Sequence, residues 1–169
     1  MKSIPTKVFY LKLETKQNAP KLLIDSCYLQ QITKPVSVDR YREQYVKVGK
    51  QFNWLDRIVM PDDKLYSQIN AENTFIFKFI INSIEAGYAE FVIENEYVEL
   101  LYFGLFPEFI GKSYGKIFLT ICIEKAWSYK PQWIQLNTCE LDHSNALPIY
   151  KSMGFELYKT QIEQRWVLE

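Results

Sequence analysis

A short glycine-containing turn follows a segment of the chain that has the composition of a buried strand. Residues 97–105 are almost all apolar, β-branched or aromatic, and Pro107 ends this segment because proline cannot donate to a strand ladder. The turn itself is GKSYG, residues 111–115, and apolar residues recur with helical spacing after it. A strand, a turn and a helix N-terminus bring unpaired backbone N–H groups and the positive end of a helix dipole to one point. The turn therefore predicts a site for a pyrophosphate group.

Two common phosphate-binding motifs do not fit this turn. A P-loop would need glycine at position 110 and serine or threonine at position 117, but both positions hold isoleucine. The dinucleotide fingerprint needs three closely spaced glycines, and Gly111 and Gly115 are the only glycines nearby. The sequence therefore supports neither a P-loop kinase nor a Rossmann dehydrogenase.

Two stretches resemble the signatures of the GCN5-related N-acetyltransferases. Residues 107–119, PEFIGKSYGKIFL, resemble the acetyl-CoA loop of that family, which carries R/Q-x-x-G-x-G/A after an apolar-x-Pro step. Residues 143–155, HSNALPIYKSMGF, resemble the second signature and match it at Ala146, Tyr150, Gly154 and Phe155. The resemblance covers residues 84–159. The phrases WLDR, YFGLFPEFIG and NTCELDHSNA further resemble a bacterial subfamily of the same superfamily.

The resemblance implies acetyl-CoA as co-substrate, with no metal. Backbone amides of residues 110–115 would hold the pyrophosphate, and two lysines would add positive charge. The strand edge at residues 103–105 would pair with the pantetheine arm, and an N–H there would polarise the thioester carbonyl. The expected cofactor-binding residues are Phe103, Gly104, Leu105, Ile110, Gly111, Lys112, Ser113, Tyr114, Gly115, Lys116 and Asn145.

Two residues are expected to take part in proton transfer. By the resemblance, Tyr150 would protonate or orient the leaving thiolate. Glu99 is the candidate base that removes a proton from the amine, because it lies in an otherwise apolar strand and family members that acetylate lysine carry a glutamate at this place. Strand alternation puts Glu99 on one face with Leu101 and Phe103 unless a bulge intervenes.

The amine acceptor is expected to bind among aromatic and charged residues. Residues 52–57, FNWLDR, are unusually rich in both kinds. Asp56 is suited to bind an ammonium group and Arg57 a carboxylate, as an amino-acid-like acceptor would need. The full set of expected acceptor-binding residues is Trp54, Asp56, Arg57, Tyr88 and Tyr102.

The implied activity is transfer of an acetyl group to a primary amine of a small molecule or a peptide. Three positions depart from the family signatures, because Ile110, Ser113 and His143 replace its usual residues. These departures favour a second hypothesis, in which the chain is a non-catalytic acyl-CoA-binding regulatory module with the same fold.

The pattern of segments predicts an α/β (α+β) fold, with a mixed and mostly antiparallel central sheet flanked by helices. The resemblance makes this the acyl-CoA N-acyltransferase fold. Residues 22–33 are compatible with a helix or with a pair of strands, and residues 18–20 should break the first strand. Ser37 or Asp39 should cap the first helix, Gly49 should end it, and residues 74–105 should form a three-stranded meander. The predicted strands are residues 7–14, 74–81, 84–94, 97–105, 133–139, 155–159 and 164–168, and the predicted helices are residues 40–50, 61–70, 116–129 and 144–153.

Length and composition set the remaining expectations. The 169 residues predict one domain, residues 1–169, and the balance of 20 basic and 20 acidic residues argues against a nucleic-acid partner. Three cysteines favour a reducing cytoplasm, and the first residues lack an uninterrupted apolar stretch of the kind found in secretory signals. The most apolar run, residues 75–84, is too short to span a membrane. The resemblance leaves a homodimer open.

Overall fold

A seven-stranded sheet runs through the centre of the molecule. The computed structural model describes residues 1–17, 24 and 26–168. The strands are β1 (Lys2–Leu13), β2 (Cys27–Gln31), β3 (Thr74–Ile81), β4 (Ile84–Ile93), β5 (Tyr97–Leu105), β6 (Trp133–Cys139) and β7 (Glu156–Val167). They lie side by side in the order β2-β3-β4-β5-β6-β1-β7. All neighbours pair antiparallel except β5 and β6, which run parallel. The predicted mixed, mostly antiparallel sheet is thereby confirmed.

Five helices within the described residues cover this sheet. They are α1 (Val38–Gly49), α2 (Asp56–Val59), α3 (Asp62–Ile69), α4 (Tyr114–Ser128) and α5 (Ala146–Ser152). Short 3-10 turns at Lys50–Phe52 and Pro107–Phe109 follow α1 and β5. The Ser37 hydroxyl accepts the Arg40 N–H at 3.5 Å and so caps α1, as the sequence predicts.

The element boundaries agree with the sequence in the middle of the chain and differ from it near the ends. The predicted meander is present as β3, β4 and β5, and β6 follows α4 parallel to β5. The strand prediction for residues 7–14 is too short, because β1 pairs with β7 from Lys2 onward. The two predicted C-terminal strand segments are parts of the single strand β7. Pairing with β1 keeps the polar residues between these two segments in the strand.

Two further sequence predictions have a mixed outcome. Gly49 is the last residue of α1, and Lys50 takes the C-cap position that was expected for the glycine. Of the ambiguous segment, residues 22–33, the part at β2 is a strand. Residues 18–23 and 25, which include the predicted break at 18–20, lie outside the described residues.

The sheet separates two apolar cores. Helix α4 packs Phe118, Leu119 and Cys122 on one face, against side chains such as Phe79 and Leu100. Helices α1 and α3 pack on the other face. That second core contains Tyr41, Tyr45, Leu65, Ile69 and Tyr88, all with at most 1% of their surface exposed. Each face of β5 therefore contacts a different helical layer.

A gap opens between β5 and β6 where their pairing stops. The two strands are paired only from Tyr97–Trp133 to Glu99–Gln135. On its other side β5 shifts register against β4, since Glu90 pairs with Tyr102 and Phe91 with Leu100, which leaves Leu101 as an extra residue.

This bulge changes which side chains share a face of β5. Leu100 and Phe103 both pack toward α4, whereas Tyr102 packs in the core beneath α1. The bulge is the exception that the sequence left open, and it separates Phe103 from the face of β5 that carries Glu99.

Within the described part of the chain, no helix is long and apolar enough to cross a membrane.

Candidate active site

A cavity of about 590 Å³ occupies the gap between β5 and β6. The C-terminal half of β5 forms one wall, and the first residues of α4 and the residues of α5 close two further sides. Most of its lining is apolar, with polar groups confined to a few side chains such as Asn137, Asp142 and Tyr150. A mostly apolar cleft with a few convergent polar groups is the usual form of a small-molecule site.

The strand wall contains the residues expected to bind the pantetheine arm. Phe103, Gly104 and Leu105 all line the cavity, beyond the point where β6 stops pairing with β5. Gly104 also lets β5 approach α1 closely, since a Cβ on this residue would lie 2.2 Å from Val48 Cγ1. The free edge of β5 is available to a ligand that pairs with it as an added strand.

The predicted pyrophosphate turn lies at one end of this cavity. Ile110, Gly111, Ser113, Gly115 and Lys116 line it. Gly111 and Ser113 adopt left-handed backbone conformations, with φ of +79° and +64°, and turn the chain into α4. An added Cβ at Gly115 would meet no atom within 4 Å, so the first turn of α4 borders open space.

The amides of this turn are not equally free. The N–H of Ile110, one of the amides expected to bind the phosphate, instead donates to Pro107 O at 3.2 Å. Ser113 is the N-cap of α4, but its side chain makes no capping hydrogen bond. The first N–H groups of α4 therefore remain available at the positive end of the helix dipole. These residues fit a bound pyrophosphate.

Two predicted cofactor residues do not line the cavity. Lys112 and Tyr114 belong to the turn, but neither lines the cavity, whereas the neighbouring Ser113 and Lys116 do. The Tyr114 ring instead packs against Phe109, 6.3 Å between centroids.

Tyr150 lines the cavity from α5 and is 9% exposed. Its ring lies 6.5 Å from that of Phe103, so the tyrosine stands beside the strand wall. Burial, and next the negative charge of Asp142, raise the pKa of its hydroxyl well above the ordinary value. The hydroxyl therefore stays protonated at neutral pH and can donate a proton. Asn145, just before α5, also lines the cavity.

Glu99 lies outside the cavity lining. Its Oε1 accepts a hydrogen bond of 3.5 Å from Asn137 Nδ2, and Asn137 does line the cavity. Burial raises the pKa of the Glu99 carboxyl, although hydrogen bonds from Gln135 and Asn137 oppose this effect. Glu99 is thus connected to the cavity through one intervening side chain.

A second, smaller cavity of about 70 Å³ adjoins the first. The two share lining residues, among them Trp54, Tyr102, Asn137 and Asp142. Asp56 lines the smaller cavity but not the larger one. Three of the predicted acceptor residues, Trp54, Asp56 and Tyr102, are therefore brought together here.

The other two predicted acceptor residues lie in the protein interior, away from both cavities. Arg57 is 5% exposed, and its Nη2 lies 3.1 Å from Glu90 Oε1. The carboxylate that Arg57 binds is thus one of the chain's own. Tyr88 is fully buried and packs edge-on against Tyr41.

Asp142 is a site residue that the sequence motifs do not single out. Its Oδ1 accepts from Trp54 Nε1 at 2.9 Å, and its Oδ2 accepts from the Thr138 hydroxyl at 2.7 Å and the Cys139 N–H at 2.9 Å. Its only signal in the sequence is its place in the phrase NTCELDHSNA, just before the second family signature.

His143 also lines the large cavity, and its Nδ1 accepts the N–H of Asn145 at 3.1 Å. It thus acts as a turn residue before α5. Among the described residues, no group of three or more histidine, cysteine or acidic side chains is arranged to hold a metal ion.

Comparison with known proteins identifies the family. A family model described as an acetyltransferase (GNAT) domain matches residues 38–168, which is most of the chain. The chain belongs to the GNAT acetyltransferase family. A search of curated proteins gave no match to this GNAT chain.

Solved structures similar to this GNAT chain share its fold at low sequence identity. A GCN5-related N-acetyltransferase from Sphaerobacter thermophilus is 9% identical, with a TM-score of 0.71 over 97% of this chain and 52% of its own. The ribosomal-protein-S18-alanine N-acetyltransferase from Escherichia coli is 14% identical, with a TM-score of 0.58 and 77% coverage of each chain. An aminoglycoside acetyltransferase from a soil metagenome is 11% identical, with a TM-score of 0.62 over 87% of this chain and 99% of its own. The chain spans only 52% to 62% of the first two structures it matches.

Proposed function

We propose that this GNAT chain transfers the acetyl group of acetyl-CoA directly to a primary amine of a small molecule or a peptide. The observation that carries this proposal is the continuous cavity that runs from the N-terminus of α4, along the free edge of β5, to the Tyr150 hydroxyl. A pyrophosphate fits its first part, an extended pantetheine arm fits its second, and a thioester would then lie beside a proton donor.

The phosphate end is supported by the unoccupied amides of the first turn of α4 and by Lys116, which lines the cavity there. A phosphate gains both hydrogen bonds and a favourable dipole at this place. The space at Gly115 matters as well, because a ligand can approach the backbone where a Cβ would otherwise stand.

The reaction balances as a direct transfer. The unprotonated amine nitrogen forms a bond to the thioester carbonyl carbon, and the bond between that carbon and sulfur breaks. Tyr150 donates its proton to the departing sulfur, and the proton that the nitrogen loses passes to a carboxylate or to water. The products are an N-acetyl amine and free coenzyme A. Glu99, whose carboxyl pKa is raised by burial, is the carboxylate we assign to the nitrogen's proton, which would reach it through a water beside Asn137.

Known acceptors in the fold support an amine as the second substrate. The similar structures include an enzyme named for aminoglycosides and one named for an alanine of a ribosomal protein. Small-molecule and protein amines are therefore both acceptors within this architecture. The smaller cavity, which opens beside the thioester position, is where the acceptor's amine would enter.

Calorimetric titration with acetyl-CoA tests the first half of the proposal, and a thiol-release assay over a panel of amines and peptides tests the second. We expect binding, followed by acceptor-dependent release of coenzyme A. Absence of binding at millimolar acetyl-CoA would refute the proposal. Binding without release for any amine would instead support the non-catalytic acyl-CoA-binding module.

A further inference from the structure

The small cavity beside the large one has a charge pattern that bears on which amines it accepts. This inference rests on the proposed function, because it concerns the acceptor of the same reaction. Three charged side chains line the cavity, namely Asp56, Asp142 and Arg165. Arg165 is the one cation among its described lining residues.

The positive charge of Arg165 is already neutralised by two carboxylates. Its Nη1 lies 2.7 Å from Asp56 Oδ2, and its Nη2 lies 3.0 Å from Glu163 Oε2. Asp142 has no cationic partner, because its three hydrogen bonds come from Trp54, Thr138 and Cys139. Asp56, Asp142 and Glu163 thus place three negative charges around the one positive charge of Arg165.

The three donors to the Asp142 carboxylate are neutral groups, so they do not cancel its charge. Oδ1 has one donor and Oδ2 has two, so Oδ1 retains a free acceptor position. Because Asp142 lines both cavities, this position lies at the junction where amine and thioester would meet.

Aromatic rings strengthen the same preference for a cation. Tyr45, Trp54 and Tyr102 line the cavity and pack on one another, with centroid distances between 5.2 and 5.7 Å. The faces and hydroxyls of such rings attract an ammonium group, and the effect is larger where water is excluded.

Among the described residues that line the small cavity, no unpaired cation remains to bind a carboxylate on the acceptor. Arg57, the sequence-based candidate for that task, is buried and paired with Glu90. A carboxylate one carbon away from the amine would enter the small cavity together with it, and would meet the negative charges of Asp56, Asp142 and Glu163. Specificity often arises from such a repulsive element as much as from attraction.

We propose that the small cavity selects amines that have no carboxylate beside the amino group, such as aliphatic and aromatic monoamines and diamines, and rejects free α-amino acids. Peptide N-termini remain acceptable by this criterion, because their α-carboxyl group is a neutral amide.

Matched acceptor pairs test this selectivity. Tyramine and tyrosine, phenethylamine and phenylalanine, and ethanolamine and serine each differ by one carboxylate. Phenylalanine amide keeps the bulk of the α-substituent but not its charge. We expect kcat/KM, expressed per unprotonated amine, to be at least tenfold lower for each amino acid than for its amine, with phenylalanine amide close to phenethylamine.

Protein variants test whether charge causes the difference. Glu163→Gln removes one of the two carboxylates that pair with Arg165 and alters no residue that lines either cavity. It should therefore reduce the gap, meaning the ratio of kcat/KM for phenethylamine to kcat/KM for phenylalanine, severalfold. Glu156→Gln, an exposed carboxylate on the same strand, should leave the gap unchanged. Asp142→Asn should narrow the gap and also lower kcat/KM for the amines.

The outcomes separate this inference from the proposed function. Equal rates for amino acids and their amines would overturn the selectivity while leaving acetyl transfer intact. Phenylalanine amide as poor as phenylalanine would overturn the charge argument in favour of a steric one. If acetyl-CoA binds but no acceptor of either class releases coenzyme A, the proposed function and this inference fail together.

Discussion

Tyr150 lines the large cavity, and its hydroxyl is protonated at neutral pH because its pKa, already far above 7 for an ordinary tyrosine, is raised further by burial. Tyr150→Phe keeps the ring and removes only the proton donor. A thiol is a good leaving group with a pKa near 8.5, so help from a general acid is moderate. We expect kcat to fall by about tenfold, less than the roughly 10²–10⁴-fold typical of general acid catalysis, with acetyl-CoA affinity unchanged. Steady-state kinetics together with calorimetry make the measurement.

An exposed tyrosine provides the matched control for this change. Tyr66 lies on α3, is 47% exposed and lines neither cavity. Tyr66→Phe should leave kcat as it is. Equal turnover in wild type and Tyr150→Phe would remove the role assigned to Tyr150.

Glu99 gives a prediction about pH. A base acts in its ionised form, and burial raises the pKa of this carboxyl above its ordinary value of 4.5. The rate should therefore climb as pH rises through that higher pKa, and Glu99→Gln should abolish this acidic limb of the kcat/KM profile. If Glu99 only positions Asn137, the variant should lower the rate by the same factor at every pH. Profiles of both proteins, measured with one amine, distinguish these outcomes.

Individual site residues differ in how far the sequence could identify them. Tyr150 belongs to a signature of fixed spacing, so its place at the cavity could be predicted. Asp142 has no such spacing, and it reaches the cavity only because its carboxylate bridges the strand β6 and the distant Trp54. The Arg57 guanidinium is suited to bind the carboxylate of an acceptor. It lies in the core instead, because the buried Glu90 carboxylate needs a counterion.

The N-terminus of α4 is the element on which donor binding depends. Lys112 and Lys116 carry equal charge in the same turn, but only Lys116 lines the cavity. Lys116→Ala should raise the Kd for acetyl-CoA about five- to tenfold, as expected for loss of a charged hydrogen bond worth about 1 kcal/mol or more. Calorimetric titration of each variant measures this.

Lys112→Ala is the natural control, because it removes the same charge from the same turn. Its effect on the Kd for acetyl-CoA should be no more than about twofold, which is the size expected for a surface charge that salt and water screen. Equal losses for the two variants would mean that the turn attracts the phosphates only through its overall charge.

At the level of elements, periodicity and turn residues predicted the sequence of strands and helices that surrounds the site. The strand, turn and helix from β5 to α4 could be predicted because the apolar run, the proline after it and the two glycines of the turn all indicate the same boundaries. The bulge at Leu101 could not, because nothing in a continuous apolar run marks which residue is extra. That single residue decides which side of β5 Phe103 faces, and so places it in the cavity wall.

Across the whole molecule, one buried polar cluster joins the helical layer of α1, α2 and α3 to the sheet under the cavities. Glu90 on β4 is 1% exposed, accepts the Tyr41 hydroxyl at 2.5 Å and pairs with Arg57 on α2. The Arg57 guanidinium also lies 5.4 Å from the centroid of Tyr102, the residue opposite Glu90 in the β4–β5 ladder and part of both cavity walls. The cluster thus couples the stability of the fold to the shape of the site.

A double-mutant cycle on Arg57 and Glu90 should expose this coupling. Arg57→Met leaves a buried carboxylate without its counterion, and Glu90→Gln leaves a buried guanidinium without its own. Each should lower the free energy of unfolding by about 3–5 kcal/mol at pH 7, while the double variant should cost clearly less than the sum of the two. Urea denaturation gives all four free energies.

The pH dependence of Arg57→Met supplies a second test with a definite sign. Burial already raises the pKa of Glu90 in the folded protein, and loss of the Arg57 charge raises it further. The folded state then holds a proton that the unfolded state releases, so the unfolding free energy of Arg57→Met should increase as pH is lowered from 7 toward 5. Lys47→Met, which breaks the exposed pair with Glu108, should follow the wild-type pH dependence. An Arg57→Met variant whose deficit is the same at both pH values, or additive single costs, would show that Arg57 stabilises the fold by packing rather than by pairing with Glu90.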